Sequence, residues 1–168
     1  MASDSLLPVF LESWDRQCRI LDNLAALVDE SNRSTKPSPD GMALDMQLCH
    51  IHEVRHGWLG EFSKAHQATL GDVLRQEGDQ WLPIADLDAI RAQLKVSAKA
   101  VRDATEAGVE RGGRIPPYDH AVFFLQHMLW HEGYHFALIL LGLRNAGIEP
   151  SDEWEELNVW GIWRDPEI

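Results

Sequence analysis

His127-Met-Leu-Trp-His131-Glu-Gly-Tyr-His135 runs directly into Phe136-Ala-Leu-Ile-Leu-Leu-Gly-Leu, and no other segment says as much about the architecture. Histidine recurs at every fourth position inside an otherwise apolar segment. Positions four apart in a helix advance by about 40° around the axis, so the three imidazoles share one stripe. A solvated stripe would not need Leu, Ile, Phe and Trp around it, so this helix is expected to be buried. Neutral imidazoles gathered on a buried face point to a shared divalent cation.

On either side of that stretch the chain keeps a helical period. Asp119 is placed to cap a helix over 120–146 that ends at Gly147. Before it lies a loop rich in breakers, Val109 to Tyr118, with Gly112, Gly113, Pro116 and Pro117. An amphipathic helix is predicted over about 86–107 through Leu87, Ile90, Leu94, Ala98, Val101 and Thr105, stopping at Gly108. Residues 71–83 read as a connection, and about 42–67 as another helix, with Leu48, Ile51, Val54, Trp58, Leu59 and Phe62 apolar. A first helix is expected over 5–30, capped by Ser5, with Pro8 in its first turn and Leu11, Trp14, Cys18, Leu21 and Leu24 on its buried face. Residues 31–41 are a loop by composition. No stretch shows convincing period-two alternation. The expectation is a single all-α domain over 1–168: a four-helix bundle over about 5–147, then a short helical or irregular tail over 148–168. Trp154, Trp160 and Trp163 suggest that this tail folds over a groove or a dimer partner.

The 168 residues carry a net charge of −12, which argues against a nucleic-acid partner because phosphate binding needs a basic patch. No apolar stretch reaches the roughly 18 residues of a membrane span. The N-terminus lacks the basic and apolar regions of a signal peptide, so a cytoplasmic location is expected. Cys18 and Cys49 have no CxxC spacing and read as free thiols.

The histidines admit three arrangements. In the first, His131 and His135, at i and i+4, hold one ion together with His50 from the second helix. His50 is the third ligand because it lies beside Met46 and Val54 at the border of the apolar arc, whereas His52 and His56 fall beyond the other border. Three protein ligands leave an open position, as catalytic zinc sites do, and His127 would line the pocket or support a ligand. In the second, His131-Glu132-Gly-Tyr-His135 is the H-E-x-x-H of zinc peptidases, with Glu132 as general base. No strand precedes it to present a peptide, and the metzincin extension is absent, with Leu138 and Leu141 where it needs glycine and histidine. In the third, Glu53-x-x-His56 and Glu132-x-x-His135 build a carboxylate-bridged di-metal centre with acidic residues such as Glu12 or Asp103.

Leu48-Cys-His50 followed by Trp58-Leu59, with His127-x3-His131-x3-His135 and then Leu143-Arg144-x2-Gly147, resembles the DinB-like superfamily of bacterial four-helix metalloproteins over roughly residues 5–147. The resemblance implies metal binding by His50, His131 and His135. It implies zinc, nickel or another divalent ion, one per chain, and a homodimer. It also implies a metal-dependent hydrolase, or a thiol-S-transferase using a low-molecular-weight thiol. Many relatives follow the last histidine with Arg-Gly-Gln, where this chain has Phe136-Ala-Leu. With an open position, such an ion could activate water or a small thiol against a small-molecule substrate. Glu53, Glu132 and Tyr134 are the catalytic candidates, and none is singled out. The competing class is a non-catalytic metal- or ligand-binding protein. His52, His56, His66 and His120 are expected to be core histidines bonded to a neighbour, and Glu53 and Glu132 to be supporting or solvated groups.

Overall fold

The computed structural model describes residues 6–164. The chain is mostly helical: α1 (Leu7–Ala26), α2 (Leu44–Phe62), a short α3 (Lys64–Gln67), strands β1 (Leu74–Glu77) and β2 (Gln80–Pro83), α4 (Leu87–Glu110), α5 (Ala121–Asn145) and a short α6 (Asp152–Glu155). A π-helical turn over Glu156–Trp160 and a 3-10 turn over Gly161–Trp163 follow. Each of α1 and α2 packs against both α4 and α5.

Several boundaries differ from the expected ones, each for a physical reason. Ser63, at φ −147° and ψ 60°, interrupts what reads as one long second helix and separates α2 from α3. Residues 71–83 contain an antiparallel hairpin, with Leu74 opposite Pro83 and Glu77 opposite Gln80 across the Gly78-Asp79 turn. Most of the hairpin is exposed, so it has no buried face to impose alternation on the sequence. Gly108 does not stop α4. A Cβ there would lie 2.9 Å from Ala121 and 3.0 Å from Ile115, so this glycine permits close approach inside the helix. His120, not Asp119, caps α5, its ring accepting from the Val122 N–H. Gly147 ends α5 as expected, in the left-handed region at φ +79°. The first helix closes at Ala26, short of residue 30, and the Ser5 cap lies outside the described residues.

The interior is two apolar clusters with a polar layer between them. One cluster holds Ile20, Leu24, Leu48, Ile51, Leu94, Phe136 and Ile139; the other holds Leu11, Trp14, Leu59, Val101, Phe124 and Met128. Each long helix sends one buried polar residue to the junction: Gln17, Arg55, Ser97 and Glu132. The Arg55 Nε donates to Glu132 at 2.7 Å, and its Nη1 donates to the Leu94 carbonyl at 2.8 Å and the Ser97 hydroxyl at 3.0 Å. Gln17 donates to the Leu129 carbonyl at 3.3 Å. Trp14 stacks its ring 5.1 Å from the Arg55 guanidinium carbon.

The tail lies along α1. Arg16 donates to the Ile162 carbonyl at 3.0 Å and Asn23 to the Asn158 carbonyl at 3.0 Å. Val159 is buried and Trp154 partly so, but Trp160 and Trp163 stay exposed. Only part of the expected tryptophan packing is therefore present.

Candidate metal centre

α2 and α5 run antiparallel, so residues of rising number on one meet falling numbers on the other: Gln47 with His135, Trp58 with His127, Phe62 with Phe124. Their shared face carries His50 from α2 and His131 and His135 from α5, one turn apart. The three are brought together. His131 Nε2 lies 3.4 Å from His50 Nε2 and 3.1 Å from His135 Nε2, and one ligand atom from each falls within 4.8 Å of the others. Among the described residues no other group of three such side chains comes this close.

The chemistry of these contacts decides what they suit. At Zn–N distances of 2.0–2.1 Å, tetrahedral geometry sets neighbouring nitrogens about 3.3 Å apart, close to the two shorter separations here. The Gln47 side-chain carbonyl lies 2.5 Å from His135 Nδ1. That oxygen can only accept, so the Nδ1 carries the proton and Nε2 presents its lone pair to the centre. Burial pushes His131 and His135 down to about 4, with neighbouring imidazoles adding to the effect, and it lowers His50 as well. Near neutral pH all three rings are uncharged, and their Nε2 atoms converge where a cation can take a lone pair from each. His135 is 3% exposed while His50 and His131 are half-buried, so the cluster opens toward solvent on their side. His131 Nδ1 is buried and has no partner among the described residues.

The remaining site candidates take other places. Glu132 lies fully buried in the ion pair with Arg55, neither solvated nor beside the histidines' open side. Burial pushes its carboxyl up and the guanidinium pulls against that push. Adjacent helical positions are about 100° apart, so His131 and Glu132 necessarily address different neighbours. With its carboxylate committed to Arg55, Glu132 fits neither the peptidase base nor the di-metal bridge. Glu53 is half-buried, its carboxyl raised by burial, in a groove with Asp72, Leu74 and Trp81. Tyr134 is exposed, its ring edge-on to His135 with centroids 5.3 Å apart. His127 does not join the cluster. Its Nδ1 lies 2.6 Å from the Tyr118 hydroxyl, which burial pushes up to about 12 and which therefore keeps a proton to donate.

His52 corrects the helical-wheel projection. It is sealed in the core, its ring nitrogens 3.2 and 3.0 Å from the carbonyl oxygens of Gln93 and Gly71. That is the role of a bonded core histidine, as expected. His66 bonds the Ser63 hydroxyl at 2.6 Å but is only half-buried, so it is a bonded histidine outside the core. Gln47 and Arg55 are the residues that sequence reasoning missed. A signal existed: in α2 the buried positions Leu44, Leu48, Ile51, Arg55 and Leu59 follow a helical stripe, and a charge inside such a stripe demands a buried partner. Gln47 stands one turn before His50, where an orienting acceptor for a ligand on the facing helix can sit.

No curated protein and no solved structure matches the chain. A model of the DinB family, in contrast, matches it over residues 1–153. With that match spanning α1, α2, α4, α5 and all three clustered histidines, the chain belongs to the DinB family.

Proposed function

We propose that this protein holds one divalent ion, zinc or nickel, on His50, His131 and His135, and that it is a metal-dependent enzyme of hydrolase or thiol-S-transferase type. The observation that carries this is the convergence of three neutral imidazoles with His135 oriented by Gln47. An ion bound there supplies Lewis acidity and lowers the pKa of water or a small thiol at the open position. The chain's own residues hold the ion on one side and leave the half-buried edge at His50 and His131 for a small-molecule substrate.

The rest of the reading follows the same lines. The four long helices form a four-helix bundle whose α2–α5 seam carries the site. Phe123, Trp130, Tyr134 and Leu141 expose an apolar stripe along α5, which supports a homodimer. Unpaired Cys18 and Cys49 support a cytoplasmic location.

Elemental analysis of the purified, metal-reconstituted protein tests the ligand set. About one ion per chain is expected from the three-ligand site. His50→Ala and His135→Ala lose it and His56→Ala keeps it. A protein that rebinds no ion, or one that needs His56 and not His50, overturns the proposal. Metal-dependent consumption of a cellular thiol with an electrophile selects the transferase over the hydrolase.

A further inference from the structure

A groove of ≈ 400 Å³ runs along α2, walled by Val54, Gly57, Trp58 and Glu61 and by Pro117 from the loop before α5. Val54 and Trp58 stand one and two turns beyond His50, and His127, against Trp58, stands one turn from His131. At about 1.5 Å per residue Val54 and Trp58 stand roughly 6 and 12 Å along the axis from His50, so the groove begins one turn away from the histidine cluster.

Its walls are flat, apolar and fixed. The Trp58 ring packs edge-on to Tyr118 and His127, with centroids 5.2 and 5.6 Å apart, and Tyr118 and His127 are themselves joined at 2.6 Å. His127 Nε2 has no hydrogen-bond partner among the described residues, so a polar atom there remains unclaimed. At Gly57 an added Cβ would meet nothing within 4 Å, which leaves that wall open. Glu61 is the one charged side chain of the lining, and its carboxylate disfavours an anionic occupant.

We propose that this groove seats an uncharged flat apolar group, an aryl ring, of a substrate whose polar end reaches the three-histidine centre. The proposal rests on the metal assignment above and extends it to a substrate class. A rigid indole wall next to a reactive centre orients such a group at little entropic cost, because the wall is already ordered before binding.

Paired hydroxamates on the Co²⁺-loaded protein separate the two assignments. Both probes offer the same chelating head to the open position, and they differ only in a methyl or a phenyl group. Titration followed by the cobalt absorption bands should show benzohydroxamate binding about tenfold tighter than acetohydroxamate, the order expected for burying much of a phenyl ring. Gly57→Leu should erase that advantage by filling the groove, and Trp58→Ala should reduce it by removing a wall. Acetohydroxamate affinity in each variant reports on the centre itself. Cobalt and acetohydroxamate binding without a phenyl advantage overturns the groove assignment alone. A phenyl advantage that survives both substitutions overturns it as well. Failure of the wild-type chain to bind cobalt overturns the metal centre, and the substrate assignment with it.

Discussion

Two polar clusters bridge α2 and α5, and they solve opposite problems. In the middle layer, Arg55 and Glu132 are both charged and both fully buried, and each neutralises the other at 2.7 Å. In the histidine cluster the rings are uncharged, only His135 is fully buried, and the Nε2 atoms converge at 3.1 and 3.4 Å. The first cluster balances its charge within the protein, and Ser97 and the Leu94 carbonyl take further guanidinium protons, although Arg55 Nη2 and Glu132 Oε2 are buried without a partner among the described residues. The second is left wanting a cation. Charge balance, more than the residue types involved, therefore separates the two polar clusters of this chain. His131 and Glu132 are sequence neighbours on opposite sides of that division.

The contrast can be broken from the structural side first. Glu132→Gln leaves the Arg55 charge buried without a counter-charge and should cost about 3–5 kcal/mol of unfolding free energy in guanidinium titrations. The double replacement Arg55→Met with Glu132→Leu should recover most of that loss, since no charge remains to be desolvated. Loss of activity in Glu132→Gln with stability intact would instead return Glu132 to the catalytic machinery.

A second test uses pH. Burial pushes His52 from 6.5 down to about 4, so between those values the unfolded chain binds a proton that the folded chain refuses. Stability from this residue is complete above pH 6.5 and falls as the pH drops toward 4, by up to about 3 kcal/mol. His52→Gln should remove its share of the pH dependence across that window, the remainder belonging to His131 and His135, and an unchanged slope would show that His52 contributes none of it.

Gln47→Leu probes the histidine cluster without touching a ligand. Freed from its acceptor, His135 can protonate on Nε2, and metal affinity measured by competition with a chelator should fall about 10- to 100-fold. The smallest effect is expected at Tyr134→Ala: a stability change within about 0.5 kcal/mol and unchanged metal stoichiometry, because the side chain is exposed and bonds to nothing in the centre.

The period of apolar residues made the long helices legible, because each buries a stripe wide enough to impose it. The hairpin over Leu74–Pro83 was not legible, since a strand pair lying on the surface has no such stripe. The three clustered histidines were readable as a set from spacing on α5 and border position on α2. The helical wheel misplaced His52 because it treats the apolar arc as the whole core. The Gln93 and Gly71 carbonyls extend the buried zone past that arc, and a side chain with two polar atoms suits it. Gln47 and Arg55 stayed hidden because their partners, His135 and Glu132, lie 88 and 77 positions away. The identity of so distant a partner leaves no local trace, although a charge inside the buried α2 stripe signals that one must exist.

The way the tail is fastened has a consequence for how freely it can vary. Arg16 and Asn23 grip the carbonyl oxygens of Ile162 and Asn158, atoms that every residue type possesses. The path of the tail is thus written mainly in α1, and the exposed Trp160 and Trp163 can be exchanged for other residues without releasing it. Sequence drift in the tail and sequence drift at Arg16 or Asn23 are accordingly unequal. Drift at the exposed positions re-dresses the surface, whereas drift at Arg16 or Asn23 removes the hydrogen bonds that fix the path of the tail and leaves it held by Val159 and its apolar neighbours.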